Sequence, residues 1–244
     1  MVLIYNQTTL TMSPSPAQPW SWDQLNAAGA PHGCTYTPLD GGAPPGGAVL
    51  SGLVDQLAVD PMTTLAMSQV QCLQGYRSCS SARQLSIVLL LQGQVRFSSH
   101  GGDAIQLSAG QWVTAGSDAA HPLACDHASG QELVALSLAV DGSQEGASHI
   151  SAALAHHWQD GRPRVHHGTA PHWLRHAALE ALRQQRDGDR SLAPMQAQGA
   201  GLMLLSRGLA AANTTALQAV GAPAGATPRE RRLLERACQL LRED

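Results

Sequence analysis

Short apolar runs, many of them alternating with polar residues, dominate the chain between residues 49 and 141. β-Branched residues are frequent in these runs, and glycines such as Gly93, Gly110 and Gly130 separate them, which is typical of short strands joined by turns. The predicted strands are VLSGLVDQLAV, TTLAMSQVQCL, QLSIVLLL, QVRFSS, AIQL, QWVTAG and ELVALSLAV. Many short strands of this kind predict a barrel or sandwich over residues 49–142.

After Asp141 the pattern changes to a helical period. Apolar residues recur three or four positions apart, and Pro171 and Pro194 stand where the first turn of a helix accepts proline. The predicted helices are HISAALAHHW, PHWLRHAALEALRQQR and APMQAQGAGLMLLSRGLAAAN. Together they predict a helical unit over residues 143–213.

Two segments are dominated by small residues. Residues 13–48 are rich in Pro, Gly, Ser and Ala, and such a composition buries too little apolar surface to order itself, so residues 1–48 are expected to form a flexible arm. Residues 214–226 have a similar composition and are expected to form a linker.

The last segment, TPRERRLLERACQLLRED, has the start signals of a helix. Thr227 is a suitable N-cap, Pro228 suits the first helical position and Glu230 completes a capping box. Leucines then recur at helical spacing with arginines on the other face. We therefore expect a helix over residues 227–244.

The stretch QLSIVLLLQGQVRFSSHGGDAIQLSAGQWV has the succession of strands and turns of a cupin-type barrel. With the helices, the linker and TPRERRLLERACQLL behind it, the chain resembles the AraC/XylS family of bacterial transcriptional regulators over roughly residues 49–244. Tyr76, Arg77 and Ser78, followed by LSIVLLLQGQVRF, are most similar to the siderophore-responsive subgroup that includes the pyochelin and alcaligin regulators.

The resemblance implies an α+β fold, in which a cupin-like β-barrel is followed by a helical dimerisation unit and by the start of a helix-turn-helix domain. Residues 227–244 would then be the first helix of a DNA-binding domain that continues beyond Asp244. The alternative is a C-terminal helix that packs back on its own domain.

Composition narrows the class of protein. All 15 basic residues are arginine, and the net charge of -3 gives the whole chain no field that would attract a polyanion. The cysteines form no CxxC pair, and neither a secretory signal nor a segment of transmembrane length is visible. We expect a cytoplasmic protein with reduced thiols at Cys34, Cys72, Cys79, Cys125 and Cys238.

The metal motifs of many cupins are missing. LLLQGQVRFSSHGGD contains neither an HxH pair nor a glutamate, and Val113 stands at the usual position of the later histidine. His100, His121 and His127 remain as an unconventional set, and the helical unit adds the pair His172 and His176. The other histidines predicted in that unit are His156, His157, His166 and His167. Surface or hydrogen-bonded roles explain them more simply, so we expect no metal and no cofactor.

No catalytic motif such as GxSxG and no glycine-rich phosphate loop is present, so the chain is not expected to be an enzyme. A cupin metalloenzyme, such as a dioxygenase or isomerase, remains the alternative. A third possibility is an interaction module without a small ligand.

The interior of a small barrel can hold one ligand among apolar side chains and a few polar groups. The candidate ligand-binding residues are Met67, Tyr76, Arg77, Arg96, Trp112 and His121. Arg96 is attractive because a siderophore-type effector would carry anionic groups. Each of the six has a core or surface role as its alternative.

The apolar stripe in LMLLSRGLAAA suits contact between helices, across a homodimer or inside one subunit. The candidate dimerisation residues are Leu202, Leu204, Leu205 and Leu209. The expected function is effector sensing and dimerisation in an AraC-type regulator, with a ferric siderophore as the effector that the subgroup implies. DNA would be contacted only through the domain beyond Asp244, and no membrane partner is expected.

Overall fold

The computed structural model describes residues 19–42, 46–99, 104–143, 164–187 and 193–219, with backbone alone at 187 and 212–219. The helices are α1 (Trp22–Gly29), α2 (His172–Asp187) and α3 (Ala193–Ala219), and a short 3-10 helix spans Ala30–His32. The strands are β1 (Pro19–Trp20), β2 (Cys34–Pro38), β3 (Leu50–Asp60), β4 (Thr63–Cys72), β5 (Tyr76–Ser80), β6 (Gln84–Gln92), β7 (Gln94–Ser99), β8 (Ile105–Ser108), β9 (Gln111–Ser117), β10 (Leu123–His127), β11 (Glu132–Asp141) and β12 (Val165–Thr169).

Over these ranges the strands form two antiparallel sheets. A seven-stranded sheet has the order β1-β3-β4-β11-β6-β9-β12, and a five-stranded sheet has the order β2-β5-β10-β7-β8. β11 lies between β4 and β6, although it follows both in the chain. The barrel or sandwich predicted from the strand pattern and the α+β class implied by the resemblance are therefore confirmed.

The two sheets pack face to face around one core, the inter-sheet core. Alternate residues of each strand face it because side chains of a strand point to opposite sides. Its buried members are Trp20, Trp22, Leu25, Val49, Leu50, Val70, Cys72, Tyr76, Leu90, Val95, Phe97, Leu107, Val113, Ala115, Leu123, Cys125, Leu133 and Ala135.

The opposite face of the seven-stranded sheet packs on α2 and α3 to form a second core, the sheet–helix core. Its strand residues include Leu65, Leu136 and Leu138, and its helix residues include Leu174 and Leu204. In a strand covered on both faces, apolar residues follow one another without strict alternation, as they do in QLSIVLLL. This explains why β6 appears in the sequence as a continuous apolar run.

α3 crosses the strands of the seven-stranded sheet along one row of paired residues. That row runs from Leu65 through Leu138 and Ile87 to Thr114. A Cβ atom on Gly201 would lie 3.2 Å from Leu65, and one on Gly208 would lie 2.6 Å from Ile87. Both glycines therefore let the helix backbone approach the sheet closely.

The flexible arm expected over residues 1–48 is wrong for residues 19–42 and 46–48. Ser21 caps α1, where its hydroxyl accepts from Gln24 N–H and the Gln24 side chain accepts from Ser21 N–H. Trp20, Trp22 and Leu25 are buried in the inter-sheet core, and β2 pairs with β5. These large apolar side chains offset the cost of ordering a segment otherwise rich in small residues. Residues 1–18 and 43–45 lie outside the described ranges.

The helical unit expected over residues 143–213 is also partly wrong. β12 lies inside it and pairs with β9, so His166 and His167 are on a strand rather than on a helix. The two helices predicted over 171–186 and 193–213 are confirmed as α2 and α3, and α3 continues to Ala219 through part of the expected linker. The helices predicted over 149–158 and 227–244, and the rest of the linker, lie outside the described residues.

None of the helices in the described ranges combines the length and the apolar character that a membrane crossing needs.

Candidate functional site

The barrel is filled with apolar side chains at one end and holds a cavity at the other. This barrel-mouth cavity of about 370 Å³ lies between the β3–β4 turn, the β5–β6 turn, the end of β11 and the short 3-10 helix. Its lining residues are Pro31, His32, Pro61, Met62, Thr64, Ala82, Arg83, Gln84, Ala139, Asp141 and Ser143.

The cavity follows from the size of the inward-facing residues. Leu65, Leu85 and Val140 belong to the sheet–helix core, so their strand neighbours face the barrel interior. Those neighbours include Thr64 and Ala139, which are paired across β4 and β11 and are too small to fill the space. The alternation of large outward and small inward residues therefore leaves the mouth empty of side chains.

Backbone hydrogen bonds fix the rim of the cavity. Asp141 N–H donates to the carbonyl of Met62 at 2.7 Å, and Gly142 N–H donates to the carbonyl of Arg83 at 2.8 Å. The three chain segments that form the rim are thus joined to one another. A ligand would meet a preformed opening rather than separate loops.

A buried hydrogen-bonded chain forms one wall. The Gln84 side-chain amide donates to Ser80 Oγ at 2.7 Å, Ser80 Oγ lies 3.4 Å from Ser117 Oγ, and Ser117 Oγ donates to the carbonyl of Ala82 at 2.9 Å. All three side chains are at least nine-tenths buried. Their mutual bonding holds Gln84 in a defined position beside the cavity.

Charged and polar groups stand at the rim. Arg83 is exposed there, His32 is partly buried, and Asp141 accepts hydrogen bonds from the N–H and the hydroxyl of Ser143 at 2.8 and 2.6 Å. A guanidinium, an imidazole, a carboxylate and an amide therefore surround one opening. This set suits a small polar ligand with at least one anionic group, because arginine recognises carboxylates and similar oxyanions well.

The structure does not bring the six predicted ligand-binding residues together. Met67 and Trp112 are buried in the sheet–helix core, whereas Tyr76 is buried in the inter-sheet core. None of the six is among the residues that line the barrel-mouth cavity. The single pocket that we expected them to share is therefore wrong, because alternate strand residues point to opposite faces of a sheet. A ligand-binding role for any one of them stays a prediction.

The charged and polar residues among the six predicted ligand-binding residues either bond other protein groups or are exposed. Arg77 is exposed and bonds Asp126 through two hydrogen bonds of 2.6 and 3.0 Å. This contact lowers the pKa of Asp126. Arg96 is exposed on β7, and His121 lies in a turn with Nδ1 3.1 Å from Asp118 Oδ1.

Sequence reasoning missed the residues that do surround the cavity. Arg83 and Asp141 border strand ends, His32 follows the missed helix α1, and no recurring motif connects them. The available signal was the pair of turn sequences, DPM at 60–62 and SAR at 81–83, that lie at the same end of the seven-stranded sheet. To place these two turns side by side, the order of the strands in the sheet must be known, and a single sequence does not show that order.

A histidine that stacks against the inter-sheet core has a lowered pKa. His127 stacks on Tyr76 with ring centroids 4.3 Å apart and an interplanar angle of 14°. Burial lowers the pKa of His127 from 6.5 to about 4, with the nearby Asp126 acting in the opposite direction. Burial likewise raises the pKa of Tyr76 and of the Cys125 thiol. These groups are uncharged near neutral pH.

Three of the four predicted dimerisation residues pack inside the subunit. Leu204 and Leu205 are buried in the sheet–helix core and Leu209 packs against it, so a dimer contact through them is wrong. Leu202 is 50% exposed on the outer side of α3. Other exposed large apolar side chains of α2 and α3 are Trp173, Leu179, Met195 and Met203.

The unconventional histidine set is not assembled by the described residues. His121 lies in a turn and His127 lies on β10, while His100 falls outside the described ranges. Within those ranges, no three His, Cys, Asp or Glu side chains are placed to share a metal ion. His172 and His176 stack with centroids 6.3 Å apart. The absence of a metal and of catalytic activity stays a prediction.

No family model and no curated protein matches the chain. The chain is similar in structure to the AraC-like transcriptional activator CuxR, with a TM-score of 0.49 and 8% identity over 78% of this chain and 64% of CuxR. It thus spans less than two thirds of the length of CuxR. A cupin protein from Bacteroides fragilis gives a TM-score of 0.29 and 18% identity over 39% of this chain and 83% of that chain. YhhW from Escherichia coli gives a TM-score of 0.34 and 12% identity over 57% of this chain and 58% of YhhW.

Proposed function

We propose that this chain is the effector-sensing region of an AraC-type transcriptional regulator, and that its effector binds in the barrel-mouth cavity. The barrel-mouth cavity carries the proposal, because its volume of about 370 Å³ suits one small molecule and polar groups surround its opening. The order of barrel and helices, on which the sequence resemblance rests, supports the family.

Arg83 and His32 favour an effector with an anionic group, and the cavity offers Gln84 and Thr64 as neutral partners. A ferric siderophore carries oxygen atoms and anionic groups to which Arg83 would donate hydrogen bonds. Its iron would be coordinated by the siderophore itself, so this use of the cavity requires no metal ligand from the protein.

An effector in the cavity would touch strands that also carry the helices. Thr64, Gln84 and Ala139 line the cavity, and the next residues on their strands, Leu65, Leu85 and Val140, face the sheet–helix core. A ligand shifts a conformational equilibrium only if it binds one arrangement more tightly. The shared strands provide the route by which such a preference would reach α2 and α3.

Homodimerisation belongs to the same proposal, through the outer side of the helices, which includes Leu202 of the residues first expected. Trp173, Leu202 and Met203 are between 42% and 50% exposed there. Apolar side chains of this size are frequent in homodimer interfaces.

Calorimetric titration with ferric pyochelin tests the cavity directly. We expect the Arg83→Ala variant to bind about tenfold more weakly than the wild type, or ~1.4 kcal/mol, because a charge-assisted contact is lost. Arg96→Ala is the matched control, since Arg96 is an exposed arginine on β7 and should leave binding unchanged.

Equal weakening by both variants would indicate nonspecific attraction and contradict the assignment of the cavity. Loss of binding in Arg96→Ala alone would move the site to the outer face of the five-stranded sheet. No binding of ferric pyochelin by the wild type would remove the siderophore from the proposal.

A further inference from the structure

A second place in the molecule combines positive charge with buried hydrogen-bond donors that lack a partner. It lies where β9 passes beneath α2 and α3, on the face of the seven-stranded sheet opposite to the barrel interior. We call it the β9 donor cluster, and its members are Trp112, Thr114, Arg175 and Arg207.

Two neutral members are almost completely buried. Trp112 is 4% exposed and Thr114 is 0% exposed. Trp112 Nε1 and Thr114 Oγ1 nevertheless have no hydrogen-bond partner among the described residues. The two residues are two apart on β9, so their side chains share the face that the helices cover.

Two arginines reach the same end of β9 from different helices. The guanidinium carbon of Arg207, on α3, lies 5.9 Å from the centroid of the Trp112 ring. On α2, a guanidinium nitrogen of Arg175 lies 3.2 Å from where a Cβ atom of Gly110 would stand, and Gly110 directly precedes β9. Arg207 therefore lies beside the Trp112 ring, and Arg175 lies beside the glycine two residues before it.

Neither arginine is neutralised by a described residue. Nε of Arg175 and Nε of Arg207 are buried without a hydrogen-bond partner in the described part of the chain. The ion pairs of that part of the chain, such as those of Arg77 with Asp126 and of Arg183 with Glu180, do not include Arg175 or Arg207.

The register of the sheet sets a glycine beside the indole. Gly168 of β12 pairs with Trp112 of β9. The nearest atom to a Cβ atom on Gly168 would be Trp112 Nε1, at 3.4 Å. Because Gly168 has no side chain, β12 offers the indole N–H no side-chain acceptor at this position.

The chemistry of the cluster selects its ligand. Indole Nε1 and arginine Nε are donors only, and a threonine hydroxyl can donate as well. Buried donors normally find an acceptor, and grouped cations are compensated by an anion. Water would accept the hydrogen bonds but would not neutralise the charge.

We propose that the β9 donor cluster binds a small oxyanion, a carboxylate or a phosphate group, between the seven-stranded sheet and its helices. The site does not rest on the proposed function, since it lies on the other face of the sheet from the barrel-mouth cavity. Trp112 Nε1 and the two guanidinium groups hold the anion. An anion bound there touches the sheet, α2 and α3 together, and so holds both helices on the sheet.

The test follows the indole N–H signal of Trp112 by ¹H–¹⁵N NMR in the full chain, with tryptophan signals assigned by triple-resonance spectra. The probes are inorganic phosphate and citrate, each titrated at constant ionic strength made up with chloride. We expect a saturable downfield shift with at least one probe, at a Kd of about 1 mM or tighter. The probe that binds distinguishes phosphate from carboxylate.

Arg207→Gln should weaken that titration about tenfold, and Arg175→Gln should do the same, because each removes one cation and its donors. Arg96→Gln, at an exposed arginine, should leave it unchanged. The other indole signals report whether a variant is folded. If the Arg207→Gln variant is unfolded, the titration of Arg175→Gln is compared with that of the wild type instead.

Two results would overturn the proposal. One is a Trp112 indole signal that does not shift with either anion up to about 10 mM, which is well above the expected Kd. That result would be expected if a carboxylate of this chain already accepted the hydrogen bond of the indole N–H. The other is a shift that is as strong in Arg207→Gln and Arg175→Gln as in the wild type, which would place the anion elsewhere.

Discussion

The two faces of the seven-stranded sheet are covered in different ways. On the face toward the five-stranded sheet, three buried polar side chains, Ser80, Gln84 and Ser117, lie within hydrogen-bond distance of one another. On the face toward the helices, Trp112 Nε1 and Thr114 Oγ1 are buried without a partner among the described residues. The Ser80, Gln84 and Ser117 group thus completes its own hydrogen bonds, although His127 Nδ1 in the same interior has no partner among the described residues. The helix-covered face instead leaves several donors together at one edge.

The difference follows from how each face is packed. Two sheets bring many short side chains into register, so that neighbouring hydroxyls and amides meet. A helix instead approaches through small residues, and α3 does so through Gly201 and Gly208. Long arginines then remain at the margin of the contact, near β9. Buried polar groups that are paired mark structure, and unpaired ones mark a place to look for a ligand.

The largest expected effect separates the two sides of α3. Leu204 is completely buried and Leu202 is 50% exposed on the same helix. Leu204→Ala should lower the free energy of unfolding by about 2–5 kcal/mol, because it leaves a cavity on the helix-covered face. Leu202→Ala should change it by less than about 0.5 kcal/mol. Urea denaturation measures both.

The same pair of positions tests the dimer. Sedimentation equilibrium should show twice the chain mass for the wild type and a lower average mass for Leu202→Glu, which places a charge in the proposed interface. A wild type that sediments as a monomer would contradict the dimer without affecting the unfolding comparison.

The next effect concerns the barrel interior and depends on pH. His127 has a pKa of about 4 in the folded chain against an ordinary value of 6.5, so the unfolded chain takes up the proton first as the pH falls. Above pH 6.5 the histidine contributes no pH dependence. Between pH 6.5 and 4 it should remove up to about 3 kcal/mol of stability.

The His127→Phe variant isolates this contribution. Its free energy of unfolding, measured by urea denaturation at several pH values, should fall less steeply below pH 6.5 than that of the wild type. His176→Gln, at an exposed histidine of α2, is the control and should keep the wild-type slope. Equal slopes in all three proteins would show that His127 is not held neutral.

The smallest effect compares two glycines of α3. A Cβ atom on Gly208 would lie 2.6 Å from Ile87, which is fully buried, so Gly208→Ala should destabilise the chain by about 1–3 kcal/mol. No atom lies within 4 Å of a Cβ atom on Gly199, so Gly199→Ala should stabilise the helix by about 0.5–1 kcal/mol. Opposite shifts of the urea midpoint would confirm the close approach of α3, and equal shifts would argue against it.

Local patterns in the sequence were enough to predict most of the strands around the barrel. Runs such as TTLAMSQVQCL and ELVALSLAV combine repeated apolar residues with β-branched ones, and both form strands. β5, β10 and β12, with the sequences YRSCS, LACDH and VHHGT, are short and contain polar or sulfur side chains. Their pairing with longer neighbours makes them strands, and that pairing is not a local property.

The candidate sites were harder to predict than the strands. Residues that line the barrel-mouth cavity come from four separate parts of the chain, and only the strand order places Arg83 beside Asp141. α1 was missed because its surroundings are rich in Pro, Gly and Ala, although Ser21 and Gln24 formed a recognisable capping box. The sequence placed Trp112 in the barrel interior, whereas it lies on the helix-covered face of the sheet.

The position of β11 has a consequence for synthesis of the chain. β4 and β6 are separated in sequence only by the short strand β5, yet both pair with β11, which the ribosome makes some forty residues after β6. Until residues 132–141 emerge, the hairpin of β3 and β4 has no central strand to join, and its apolar face stays open to water or to other nascent chains. Completion of the seven-stranded sheet therefore waits for one late strand, and any fragment that stops before Glu132 should be prone to aggregation rather than partly functional.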